Sequence, residues 1–440
     1  MESNHVSARL LIPMLSRFQP PQVHPTQLCF FLALTLVLCF GYNLYFSDFH
    51  DGAVRSPHHY LSLLKLFSVG LLAIGLFPYA KKLPFSRLLI AFFLFNLYCG
   101  ANFLVTTLVY PGTSDTLYFN ELLLVPFCFL FLQTKPDDPL KKMMGMALPL
   151  LLFQIFVGVL LEILGYSLWE DKAFAGGFGN PNGFGVSLIL CLLYVWSLRP
   201  QDRWSLPISI VLVQGCYLTQ SLLTTVLIFA APVMIFMLDK DFKGLVKKQV
   251  VSLILLICTM EAGVIRHLKH KIMATLDKIG IINYTIPAGS IDGRENQMQY
   301  VAENIFSMQV APGLAAGGGN LTSGEADHFS MAVELGRRLL FGHENGKAYT
   351  AIDSQYLCYA LNFGAVAALC FAALNFCFLR KAMRAAPHYR LFLVTALVVL
   401  NLALLANRLL DYFPMNLFYV LILASILRYQ AKNQPEAVIK

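Results

Sequence analysis

Long apolar runs alternate with short polar connections from one end of this chain to the other. The runs lie near 26–46, 59–80, 87–109, 117–133, 144–168, 183–198, 206–220, 222–238, 249–265, 352–379, 391–406 and 413–428. A transmembrane helix takes roughly 20 mostly apolar residues. The pattern therefore predicts an all-α fold, a polytopic transmembrane helical bundle of about 12 helices. Several runs are shorter than that, and 206–238 reads either as a close hairpin or as a broken helix. A single connection is long, roughly 266–351, and belongs to one integral membrane domain covering 1–440.

Composition agrees with the pattern. Hydrophobic residues make up 57% of the chain and charged residues 13%, with a mean hydropathy of +0.62, a balance foreign to a soluble globular domain. The polar leader SRFQPPQVHPTQ ahead of the first run does not resemble a cleaved signal peptide, and is expected to stay attached. The formal charge of +8 comes from basic residues scattered through short connections, which argues against a nucleic-acid partner and for a topology signal.

Alternate connections hold Lys81, Lys82 and Arg87; Lys135, Lys141 and Lys142; Arg199 and Arg203; Lys240, Lys243, Lys247 and Lys248; Arg380, Lys381, Arg384 and Arg390. The intervening set is nearly bare, with Arg55, Lys172 and Arg408. By the positive-inside rule the first set is cytoplasmic, as are both termini, and the long loop faces the other side. The ten cysteines fall in or beside apolar runs without a CxxC pair and read as small hydrophobes, so no metal site is expected. His328 and His343 lack a ligand-like spacing partner. Walker, GxSxG and HExxH sequences are absent, which removes common ATPase, serine-hydrolase and metalloprotease readings.

The segment AGGFGNPNGFG (175–185) separates two apolar runs. Asn-Pro and Asn-Gly are turn signals, so a plain surface turn explains it. The same residues also suit a ligand: Asn180 can cap the next helix, Pro181 can take its first position, and the N–H groups at that helix start favour phosphate. Asn182 and Gly183 are candidates on that reading, Gly183 because a glycine allows close approach. In the loop, residues 294–308 carry Met298, Val301, Ala302, Ile305 and Phe306 at helical spacing, an interfacial amphipathic pattern followed by APGLAAGGGN. Arg294 stands at its start, where it either binds a phosphate or pairs with Glu295, Asp292 or lipid headgroups. Asp353, at the threshold of the run 352–379, is either a helix cap or a general base. Arg408 and Asp411 in LLANRLLDYFP are three apart, on one helix face, and form either an ion pair or part of a phosphate clamp.

The order of GNPNGFG, an outward loop containing RENQMQYVAENIF, then APGLAAGGGN, then DSQYL followed by NFG resembles the O-antigen ligase/polymerase superfamily of bacterial inner-membrane proteins. The resemblance covers roughly 175–375. It implies a multi-pass inner (cytoplasmic) membrane glycosyltransferase of GT-C-like architecture, its loop in the periplasm. Such an enzyme moves a glycan from undecaprenyl pyrophosphate to an acceptor glycan, without metal, nucleotide sugar or other cofactor. Arg294 matches the loop arginine of the family and Gln297 follows it in the same motif. Ligases of the family carry His-Asn where this chain has Asp353-Ser354, which favours a polymerase working with a chain-length regulator. In TQSLLTT (219–225) Leu222 stands where the family has an arginine, so Arg266 or Arg408 is expected to substitute. The alternatives are an O-antigen ligase joining glycan to lipid A core, and a polysaccharide or lipid transporter. Transporters use broken helices too, but they keep charges in mid-membrane, where this chain has mainly Glu121 and Glu261.

Overall fold

The computed structural model describes residues 28–29, 32, 35–36, 67, 70–71, 86–109, 124, 128, 131–132, 139–164, 173–178, 180–261, 266–281, 333, 335–342, 354–410 and 413–430. The helices are α1 (Arg87–Val109), α2 (Pro139–Ile163), α3 (Pro181–Leu198), α4 (Ser205–Leu218), α5 (Leu222–Asp239), α6 (Phe242–Glu261), α7 (Arg266–Lys278), α8 (Gln355–Phe363), α9 (Ala365–Ala382), α10 (Pro387–Ala406) and α11 (Phe413–Arg428). A 3-10 turn, Gly176–Phe178, precedes α3. Among the described residues there is no strand beyond an isolated bridge between Ala385 and Gln430. Among the described residues five helices, α2, α3, α5, α9 and α10, are long and apolar enough to cross a membrane; α1, α4 and α11 contain shorter apolar stretches. The expected runs at 26–46, 59–80 and 117–133 lie almost wholly outside the described residues.

The bundle is built around α3, of which 89% is buried, against 28% for α9. A helix apolar on every side must be enclosed by other helices. Here α2, α4, α5, α10 and α11 supply the walls. Small residues permit the approach, since a Cβ on Gly185 would sit 2.3 Å from Thr224 Oγ1 of α5. Outward faces are apolar as well: Leu94 and Leu97 of α1, Phe153 and Phe156 of α2, Leu369 and Phe376 of α9 are exposed. Contiguous apolar surface of that extent suits contact with lipid.

The run 206–238 resolves as a hairpin. Thr219, Gln220 and Ser221 turn α4 into α5, with Gln220 in the left-handed region at φ 48. The run 352–379, read as one span, is broken. Gly364, at φ 94, separates α8 from α9. The break accommodates residues 339–342 of the long connection, which cross it backbone to backbone. A Cβ on Gly364 would lie 2.3 Å from the Leu339 carbonyl oxygen, and one on Gly342 (φ 82) would lie 2.3 Å from that of Leu361. Tyr98 of α1 donates to the carbonyls of Leu340 and Phe363. Part of the long connection thus packs into the bundle.

The two ends of the bundle differ in chemistry. At one end the basic connections meet: Lys141 Nζ lies 2.7 Å from His388 Nε2 and 5.5 Å from the Tyr389 ring, which stacks on Tyr429. Lys248 sits over Trp196, and Arg380 and Lys381 close α9 on the same side, where Ala385 bridges to Gln430. At the opposite end lie the starts of α3, α5 and α8 and the finish of α10, joined by side-chain hydrogen bonds.

Candidate functional site

The starts of α3, α5 and α8 each have a polar cap that the sequence supplies. Asn180 is extended (φ −146, ψ 123), and its Oδ1 accepts from the N–H groups of Asn182 (2.8 Å) and Gly183 (3.3 Å), with Pro181 in the first turn. Ser221 caps α5, its Oγ accepting from Thr224 N–H at 3.2 Å. Ser354 caps α8, accepting from Leu357 N–H at 3.4 Å. The cap expected of Asp353 is therefore filled by its neighbour.

Side chains then tie these starts to the end of α10. Ser221 Oγ donates to Asn182 Oδ1, and Asn182 Nδ2 donates to Asn407 Oδ1 at 2.8 Å. The chain of donors runs in one direction and ends at Asn407 Nδ2, which is buried with no hydrogen-bond partner. A buried, unsatisfied amide donor costs about 1–3 kcal/mol, so it marks a place where an acceptor is wanted. Three residues further on, Leu410 N–H donates to Gln355 Oε1 at 3.1 Å, bringing α8 to the same segment. Lys271 of α7 reaches the carbonyl of Gln220 at 3.5 Å. Two cations, Lys271 and Arg408, thus stand on segments that contribute to the cluster, beside three helix starts whose dipoles present partial positive charge. The arrangement is suited to an anion.

Of the residues expected from sequence, Asn180, Asn182, Gly183 and Arg408 stand at this end. Their roles are not all as expected. Asn180 caps α3 as expected, its Oδ1 occupied by two backbone donors. The N–H groups of Asn182 and Gly183, expected to be free for phosphate, are taken by that same oxygen. Gly183 is buried, and a Cβ there would meet Met415 Cγ at 3.4 Å, an ordinary contact. Arg408 is not on a helix: α10 ends at Ala406 and Asn407 is extended (φ −148, ψ 153), which departs from the helical placement expected of Arg408. Arg266 opens α7. Arg294, Gln297, Asp353, Asp411 and Glu121 lie outside the described residues. Glu261, the last described residue of α6, pairs with Lys269 at 3.9 Å.

No family model matches the chain, and no curated protein does.

Four members of the cluster were not singled out from sequence: Ser221, Asn407, Gln355 and Lys271. Ser221 lies in TQSLLTT, where attention went to the leucine at 222. Asn407 immediately precedes Arg408. A polar residue of capping type at every apolar-run boundary on one side is the signal that would have found them.

Proposed function

We propose that the chain is a membrane glycosyltransferase that polymerises lipid-linked polysaccharide repeat units, O-antigen or exopolysaccharide, from undecaprenyl pyrophosphate. The observation that carries this reading is the one-way hydrogen-bond chain ending on the unpartnered Asn407 amide, set where three capped helix starts meet beside Arg408. A diphosphate is the anion a lipid-linked glycan offers at a membrane surface. With the basic end of the bundle in the cytoplasm, the cluster opens to the periplasm. The resemblance of GNPNGFG and DSQYL to the O-antigen ligase/polymerase superfamily supports the same choice.

The acceptor hydroxyl attacks the anomeric carbon, a new C–O bond forms, and the bond from that carbon to the diphosphate oxygen breaks. Charge grows on the leaving diphosphate. Arg408, Arg294 and the Asn407 amide are assigned to stabilise it, and Asp353 to take the acceptor proton. Asn182 orients the Asn407 amide through its own hydrogen bond. Gln297 is assigned to the glycan beside Arg294, and Arg266 to the same face of the loop.

The test is reconstitution in liposomes with an undecaprenyl-diphosphate-linked repeat unit. The parent chain is expected to give a ladder of polymer. Arg408→Ala is expected to lower the rate by about 100- to 1,000-fold, the usual loss for one charge-stabilising donor, and Arg408→Lys to recover part of it. Arg294→Ala should leave single repeat units. A normal ladder from both alanine variants would exclude the assignment. Attachment to lipid A core in place of lengthening would select a ligase, and movement of labelled lipid with no bond formed would select a transporter.

A further inference from the structure

A second surface is built by the outward side of α7 and the turn that ends it. Its sequence RHLKHKIMATLDK holds Arg266, Lys269, Lys271 and Lys278 against a single acid, Asp277. Leu268 is fully buried and Ile272, one turn on, packs against the same core, so one face of α7 is fixed to the bundle. Lys269 is tied to Glu261, the last residue of α6, and its side chain remains 43% exposed. The end of the helix is locked as well. Gly280, at φ 80, lets Ile281 N–H reach the carbonyl of Leu276 at 2.9 Å while its own N–H bonds that of Asp277 at 2.8 Å. This is a Schellman closure. In most such closures the residue after the glycine folds back on the helix; here Ile281 is 65% exposed and Ile279 67% exposed. Two isoleucines are therefore held outward by a rigid turn, at the tip of a cationic helix.

The surroundings say what meets them. Val250, Leu253, Ile254 and Ile257 of α6 are exposed, a lipid-type face. The Lys269–Glu261 pair sets α7 beside the far end of that helix. A cationic amphipathic helix at that depth lies in the plane of the surface and is attracted by anionic headgroups. We propose that α7 is an interfacial helix docked on anionic phospholipid at the polar end of the bundle, with Lys269 and Lys278 at headgroup phosphates and Ile279 and Ile281 in the acyl boundary. Docking there fixes Lys271, and with it the α4–α5 turn, at the level of the surface.

Ile281→Trp in the full chain, placed in nanodiscs with brominated lipids, tests this without reference to glycan transfer. The added emission, measured as the difference from the parent chain, is expected to be quenched by brominated phosphatidylglycerol at least twofold more than by brominated phosphatidylcholine. Adding Lys269→Gln and Lys278→Gln should remove that preference while the melting temperature, read in parallel, stays with the parent. Equal quenching by the two lipids would overturn the anionic assignment. Quenching by aqueous iodide alone would place the tip in water, and protection from both lipid and iodide would place it under protein; either result overturns the proposal.

Discussion

Asn182→Asp is expected to fold as well as the parent chain and to lose its diphosphate. The new carboxylate keeps the acceptor that Ser221 uses, and it gives Asn407 Nδ2, now without a partner, an acceptor once that amide turns over. A carboxylate in the first turn of α3 also meets the positive end of the helix dipole, a gain of about 0.3–1 kcal/mol that offsets its partial desolvation. Stability should therefore stay within about 1 kcal/mol of the parent. Binding moves the other way. A like charge roughly 6 Å from a phosphate costs about 3 kcal/mol at an effective dielectric of 20, or about 100-fold in affinity. Melting in detergent and titration with undecaprenyl diphosphate read the two effects separately. Unchanged affinity would mean that no anion sits at the Asn182–Asn407 junction.

Gly364→Ala should damage the protein far more than Gly280→Ala, although both glycines have positive φ. At Gly364 the backbone (φ 94, ψ 158) is in a region essentially reserved for glycine, a strain of about 1–3 kcal/mol. The added methyl would also fall 2.3 Å from the Leu339 carbonyl oxygen and 2.6 Å from the Leu340 carbonyl carbon. Those are backbone atoms, the Leu340 carbonyl among them held by Tyr98, so they cannot rotate away, and overpacking of this kind adds about 1–3 kcal/mol. Nothing lies within 4 Å of a Cβ on Gly280, leaving only a strain of about 1–2 kcal/mol. The fraction of monodisperse protein after stepwise heating in detergent compares them. Equal loss from the two variants would mean that the crossing of 339–342 over the α8–α9 break contributes little.

The apolar runs reported helix placement well where helices are long. Runs 87–109 and 413–428 coincide with α1 and α11 in full, and 183–198 and 391–406 fall inside α3 and α10. Capping chemistry was legible too: Asn180 and Pro181 open α3 because an extended asparagine followed by proline suits no other use so well. The break at Gly364 was not legible, because a glycine flanked by Phe363 and Ala365 leaves the apolar pattern intact, and only the crossing segment reveals why φ must be positive. α7 was read as loop, since cations at four positions hide the buried Leu268 and Ile272. The Ser221–Asn182–Asn407 chain joins residues far apart in sequence, and pairing of that kind leaves no trace in local spacing. For Arg294, Gln297 and Asp353 the functional assignment still rests on motif resemblance.

The enclosure of α3 has a bearing on how the protein is made. During synthesis α2 is already in place when α3 enters the bilayer, but α10 and α11, which form the opposite walls, emerge much later. Until then the side-chain amide of Asn182 lacks the Asn407 oxygen to which it donates, a state the membrane tolerates poorly. The nascent bundle is thus a half-open sleeve that closes only on near-complete translation, and a chain that stops short of α10 should be cleared by membrane proteases instead of accumulating as a stable fragment.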